Sequence, residues 1–280
     1  MKISIVTPVY NAASTVEKTI LSVINQDIQA ELEYIVVDGG SNDGTLEIIN
    51  RYSDDIDILI SEPDRGIYDA MNKGVNLATG DIIGIINSDD WYNPNALQIV
   101  ENSFQQEPKI SILYSSIDNY FEGKYMNTFI PGELKNLVFK FTLNHPSCFV
   151  KKSVYDKLGL FDLSYDIAAD YDFIFRAYRS GFCFQYVAMP LVSYSLNGMS
   201  GKPLNKFKQI HESWKVTSKF AKQESNSLNI KHRKFYLTWL LKELITFPLK
   251  LLINPQISIK LKAFLRDKIG SLPADQYGAW

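Results

Sequence analysis

The chain has almost no cysteine and little histidine, two and three residues respectively among 280. Cys148 and Cys183 lack metal-ligand spacing, which argues against a disulfide framework or a zinc site and favours a reducing, cytoplasmic location. Long apolar runs are also missing. Residues 235–253 are rich in Leu, Phe and Trp, but Lys242, Glu243, Pro248 and Lys250 interrupt them, so the stretch makes a poor membrane span. It reads either as a helix packed on the main domain or as an amphipathic helix at an interface. The opening MKISIVTPVYNAAS has one basic residue and too short an apolar run for a signal peptide, and reads as a first strand. There is no P-loop, no G-x-G-x-x-G, no internal repeat and no low-complexity segment.

What is present is charge, unevenly placed. The formal net charge of -2 hides an acidic part, residues 1–201, with 14 Lys+Arg against 26 Asp+Glu. Residues 202–280 hold 15 against 5. A boundary near residue 200 follows, separating a domain over 1–200 from a basic, mostly helical extension over 201–280. The acidic part is a poor partner for nucleic acid but can hold a cation. The basic part suits the anionic inner face of a membrane, or a homodimer contact through its helices.

Residues 3–9 and 34–37 are short β-branched and aromatic runs ending in polar turns, as buried parallel strands do. Between them Val16, Ile20, Val23 and Ile24 recur at helical spacing, with Ser14 available as an N-cap. Helices over 45–52 and 67–78 then alternate with strands over 56–61 and 82–87. This order predicts an α/β fold, a mainly parallel central sheet with helices on both faces. Later, strands are expected over 110–114, 147–150 and 184–194 and a helix over 170–179, while Pro248 and Pro255 break the C-terminal helices. In such sheets ligands bind outside the carboxyl ends of the strands, where the polar clusters of this chain fall.

Four clusters carry candidate chemistry. Asp89 and Asp90 end an apolar strand as adjacent anions; they either cap a turn or share a divalent cation that would also bind substrate phosphate. Asp38 follows a strand and precedes Gly39 and Gly40, so it can accept hydrogen bonds from a base or ribose, while Asp43 suits an Asx turn. Asp64 can also help bind a nucleotide. Arg65 and Lys73 can meet phosphates, or simply be solvated, and Asp69 with Lys73 has the spacing of a helix ion pair. Asp170 and Asp172 precede an aromatic helical run, where one acid can take a proton from an incoming hydroxyl or favour the helix dipole. His145 is either structural or near the metal, leaving phosphate or acceptor.

Taken in order, these segments resemble glycosyltransferase family 2, the inverting transferases of GT-A fold, over roughly residues 1–200. Thr7, Pro8, Tyr10 and Asn11 look like the family's first strand and nucleotide loop. Residues 36–45 are similar to its V-D-D-G-S-x-D-G-T element, with Gly39 in place of the second Asp. Asn72-Lys73-Gly74 and the following Ala78-Thr79-Gly80-Asp81 also match, and the resemblance implies Asn72 and Lys73 among the donor-binding residues. Ser88-Asp89-Asp90 falls where the D-x-D signature belongs, so the resemblance implies Asp90 as ligand of Mn²⁺ or Mg²⁺ and Asp89 on sugar or ribose. Ala169-Asp170-Tyr171-Asp172 resembles E-D-x-D with Ala for Glu, which implies Asp170 as the general base. The implied activity is transfer from a nucleotide-diphosphate sugar, a UDP-sugar foremost, to a glycan or lipid-linked acceptor in surface polysaccharide synthesis. Two other readings remain: a sugar-phosphate nucleotidyltransferase, and a non-catalytic carbohydrate-binding module of the same fold.

Overall fold

The computed structural model describes residues 1–196 and 205–252. The expected boundary near residue 200, and Pro255, lie outside them. The elements are β1 (Lys2–Val9), α1 (Val16–Ile24), β2 (Glu31–Asp38), α2 (Thr45–Ile49), β3 (Ile58–Ser61), α3 (Ile67–Leu77), β4 (Ile82–Ile85), β5 (Trp91–Tyr92) and α4 (Ala96–Gln106). After these come β6 (Ile112–Phe121), β7 (Lys124–Phe129), β8 (Phe149–Lys151), α5 (Lys152–Leu158), α6 (Ala169–Arg179), β9 (Phe184–Ser195), α7 (Asn205–Glu224) and α8 (Asn226–Leu252).

One sheet organises them, in the order β3-β2-β1-β4-β8-β6-β9-β5, with β7 paired to β6. The first four strands are parallel throughout. Beyond β4 the pairing is mixed: β8 runs antiparallel to both β4 and β6, β9 parallel to β6, and β5 antiparallel to β9. Side chains alternate across the sheet, so Ile3, Ile5 and Val36 face one apolar layer and Val6, Ile35 and Val37 the other. Helices α1 and α4 cover the first layer; α3, α5 and α6 cover the second, which continues into α7 through Ala221. Gly74 is required where α3 crosses β1, because a Cβ there would stand 2.2 Å from Val6.

Two local expectations are corrected. Ser14 does not cap α1; the helix begins after Thr15, without a side-chain cap, from a turn in which the Thr15 and Val16 amides donate to the Ala12 carbonyl. Pro248 does not break the last helix, which runs on to Leu252. Proline deprives the carbonyl four residues earlier of its donor. That carbonyl belongs to Leu244, on the solvent side of α8, where water can replace the lost bond.

Candidate active site

The carboxyl ends of β1, β2, β3 and β4 share one edge of the sheet, and the loops leaving them interlock. Asn11 takes a left-handed backbone conformation, φ 47°, which asparagine tolerates. Its side-chain oxygen accepts the Asn42 amide at 3.0 Å, and its own amide donates to Ser41 Oγ at 2.8 Å. The Ala12 amide donates to Thr45 Oγ1 at 2.7 Å and the Ala13 amide to Asp43 at 3.2 Å. Asp43 is therefore a stitch between the first two loops, and hydrogen bonds from Thr45 hold its carboxyl below the usual range. Tyr10 projects from this platform, 62% exposed.

Asp38, at the tip of β2, is fully buried. Ser41 Oγ donates to one oxygen at 2.5 Å and Ser61 Oγ, at the end of β3, to the other at 2.6 Å. Beside it, a Cβ on Gly39 would lie 2.4 Å from an Asp64 oxygen. The Asp64 carboxylate thus occupies the space that a side chain at position 39 would need, and it also accepts the Gly66 amide at 2.8 Å. Sequence reading singled out Asp38 and Asp64 separately; their neighbours Ser41 and Ser61 gave no comparable signal.

Arg65 and Lys73 flank this corner. Arg65 donates to Asp69 at 3.0 Å, and Lys73 pairs with Glu62 at 2.7 Å. Asp69 therefore has Arg65, and not Lys73, as its contact partner. Asn72, expected among the donor-binding residues, spends both ends of its amide on Phe161, donating to the carbonyl at 2.9 Å and accepting the amide at 3.0 Å. It clips α3 to the segment ahead of α6. Thr7 and Pro8 are buried within β1, and the Thr7 hydroxyl meets Tyr34 at 3.2 Å.

At the end of β4 the two acids divide their tasks. Asp90 is wholly buried; it accepts the Ser195 amide at 2.8 Å and the Asn87 side chain at 3.0 Å. Burial and the charge of Asp89 push its carboxyl well above the usual range. Both oxygens of Asp90, the cation ligand expected from sequence, are thus engaged inside the protein. Asp89 is only half-buried, is raised by burial, and receives no hydrogen bond from a side chain among the described residues. Ser88 beside it is also half-buried.

Asp170 opens α6. Its Oδ1 accepts the Tyr171 amide at 2.8 Å and lies 2.9 Å from the Tyr68 hydroxyl, which also reaches the Ile167 carbonyl at 2.7 Å. Oδ2 carries none of these bonds. Burial raises the carboxyl to about 6, partly offset by the Tyr171 and Tyr68 hydrogen bonds. A hydrogen bond from Tyr68 and an electrostatic interaction with Cys148 place Asp170 at the same sheet edge as the other acids. Tyr68 belongs to the first turn of α3, just past β3. Cys148, whose thiol is raised by burial and by Asp170, stands level with Ile85 because Phe149 pairs with Gly84. Asp172 is used differently: it ties Arg176 at 2.7 Å, and Arg176 in turn donates to the Leu158 and Leu160 carbonyls. His145 is buried against Phe161, ring centroids 5.4 Å apart, and burial lowers it to about 4, so it is a neutral ring near neutral pH.

A sheet that is parallel on one side and mixed on the other, with carboxylates gathered at its loop edge, is the GT-A architecture of glycosyltransferases. S. aureus TarS in complex with UDP superposes with a TM-score of 0.65 over 99% of this chain and 82% of its own, at 16% identity. The mannosyltransferase PcManGT from Pyrobaculum calidifontis, in complex with GDP-Man and Mn²⁺, gives 0.62 over 97% and 76%, at 17% identity. The chain spans 43% of the longer TarS structure. The sequence pattern described as Glycosyl transferase family 2 matches residues 4–161, more than half of the chain, and the chain belongs to that family. Among its relatives, a PGL/p-HBAD biosynthesis glycosyltransferase of Mycobacterium bovis is 28% identical over 213 residues, covering 72% of this chain and 80% of the relative. Chondroitin synthase of Pasteurella multocida is 33% identical over 119 residues, 42% of this chain but 12% of the synthase.

Proposed function

We propose that this glycosyltransferase moves a sugar with inversion from a nucleotide-diphosphate donor, a UDP-sugar foremost, to the hydroxyl of a lipid-linked glycan during surface polysaccharide assembly. The observation that carries this reading is Asp170, with one oxygen anchored, the other unclaimed, and a carboxyl poised near 6. A base with that affinity for protons is ionised at neutral pH and still strong enough to take a proton from an attacking alcohol. The Asp38 and Asp64 corner accounts for the base or ribose, with Tyr10 and Asn11 above it. Arg65 and Lys73 stand where they can exchange their carboxylates for phosphate oxygens. TarS structures with UDP-GlcNAc and UDP, and PcManGT with GDP-Man, support a donor of this class.

A divalent ion, Mn²⁺ or Mg²⁺, fits at Asp89. The carboxylate is at a strand tip, partly desolvated and without a side-chain donor, a state that a cation relieves. Such an ion supplies the charge that neutralises a departing diphosphate. No group of three or more His, Cys, Asp or Glu able to hold a metal occurs among the described residues. One carboxylate together with phosphate oxygens and water is a usual set for Mg²⁺. In this arrangement Asp90 and Asn87 shape the turn while Asp89 faces the donor.

The extension supports a membrane-side acceptor. On α8, Leu237, Leu241, Leu244 and Ile245 form an exposed apolar stripe, with Arg233, Lys234 and Lys242 also exposed. No helix among the described residues is long and apolar enough to cross a membrane. A helix of this kind lies along a surface.

The test is a thermal-shift panel of nucleoside diphosphates with and without Mn²⁺, followed by detection of nucleoside diphosphate released from the matching nucleotide sugar. One diphosphate is expected to raise the melting temperature, with the gain dependent on metal. Pyrophosphate release from a nucleoside triphosphate would instead identify the nucleotidyltransferase.

A further inference from the structure

Helix α6 carries the proposed base in its first turn but has no cap of its own. Its N-cap is Ala168, without a side-chain cap bond, and the first acid of the resembled E-D-x-D motif is here Ala169. The amides entering a helix need acceptors, and a buried end without them is costly. Here the N-cap amide and the two amides ahead of it find one on another element. The Glu212 carboxylate, projecting from α7, accepts the Asp166 amide at 3.1 Å, the Ile167 amide at 2.9 Å and the Ala168 amide at 3.1 Å. Glu212 is 6% exposed, so these bonds are sheltered from water. One turn earlier on α7, Lys208 pairs with Asp166.

The same helix junction is secured elsewhere. Phe220 of α7 packs on Phe175 of α6 with ring centroids 5.6 Å apart. What distinguishes Glu212 is that it grips the Asp166, Ile167 and Ala168 amides, the stretch that delivers the chain into the first turn of α6, where Asp170 stands. A charge-assisted bond to several amides is among the stronger kinds available to a protein. An error of about 1 Å in a reacting group costs on the order of 10²-fold in rate.

We propose that Glu212 is the positioning residue for Asp170: a carboxylate lent by the C-terminal extension clamps the segment that enters the catalytic helix and so holds its base at the sheet edge. The inference rests on Asp170 being the base. It makes the basic extension part of the catalytic apparatus, over and above any docking role.

Three substitutions separate reach from charge. Glu212→Ala removes both and is expected to lower kcat about 10- to 100-fold, with the donor affinity read by thermal shift changed less than about twofold. Glu212→Gln keeps an acceptor for the amides and is expected to fold and to retain most of kcat. It should also move the acid limb of the pH-rate profile to lower pH. The groups facing Asp170 are Tyr68 from α3, Cys148 ahead of β8, the Tyr171 amide and Glu212 itself, and Glu212 is the member whose negative charge raises Asp170. Glu212→Asp keeps the charge but shortens the reach, so kcat should fall while the acid limb stays in place. Folded Ala and Gln variants with wild-type kcat and pH profile would overturn the proposal, even with a lowered melting temperature. Glu212→Ala added to Asp170→Asn should cost no further rate. Retained turnover in Asp170→Asn alone would refute the base, and with it this role; an inactive Asp170→Asn beside an unaffected Glu212→Ala would refute Glu212 only.

Discussion

The two ends of the parallel strands hold acids in opposite conditions. At the amino end Glu33 is surrounded by donors: Ser4 Oγ at 2.5 Å, the Thr79 amide at 2.7 Å and hydroxyl at 2.5 Å, and Lys2 Nζ at 2.9 Å. Burial alone would raise it, but Ser4, Thr79 and Lys2 outweigh that and hold it down to about 2. At the carboxyl end Asp170 and Asp89 are raised, because burial is not matched by donors. The Glu33 carboxylate, with its donors outweighing its burial, belongs to the scaffold. An under-satisfied one stores an appetite for a proton or a cation, which is what a reaction centre requires.

The contrast is tested most severely by Asp170→Asn. Turnover is expected to fall roughly 10²- to 10⁴-fold, while nucleotide binding persists. Stability should move the other way. A folded value near 6 against an ordinary 3.8 means that Asp170 favours folding at low pH and that this is lost as pH rises through 6. Asparagine should therefore stabilise the fold at pH 8, by on the order of 2 kcal/mol, with a smaller gain at pH 4 in denaturant titrations. Glu33→Gln should show the mirror image: a loss of roughly 2–3 kcal/mol at pH 7, with activity per folded molecule unchanged. Because Glu33 is depressed, its contribution is present above about 4.5 and disappears as pH falls toward 2. Equal behaviour of the two variants would dissolve the comparison.

A finer test divides the neighbouring acids. Asp89→Ala should remove the metal-dependent part of the nucleotide-induced melting shift while leaving the unliganded protein near its normal stability. Asp90→Ala should lower the stability itself by about 1–3 kcal/mol, since the Ser195 amide and the Asn87 side chain lose their acceptor. The smallest effect concerns the extension. Sedimentation with anionic vesicles should exceed that with neutral ones and fall with added salt, each basic residue near the surface contributing roughly 1 kcal/mol. Equal sedimentation with both, accompanied by a dimer in analytical ultracentrifugation, would assign the α8 stripe to self-association.

The repeating part of this architecture was legible because buried strands and amphipathic helices write their periods into the sequence, and Asp38 could be located from its strand-end position, whereas only the resemblance to E-D-x-D chose Asp170 over Asp172. Which of Asp89 and Asp90 turns inward was not legible. Adjacent residues at a strand tip have the same composition signal, and the decision is made by Ser195, more than a hundred positions later. Asn72 looked like a ligand contact because nothing local reveals Phe161 as its partner. Glu212 was hidden for the same reason. Its helix read as basic, and an acid among so many lysines does not announce which amides it will meet after folding.

The closeness of Asp64 to the bare α-carbon of Gly39 has an evolutionary corollary. A second aspartate at position 39, as in the motif this chain resembles, would have to displace the Asp64 carboxylate and forfeit its bond to the Gly66 amide. The two positions are therefore coupled in one direction: a side chain at position 39 requires Asp64 to move or change, whereas a change at Asp64 leaves Gly39 unhindered.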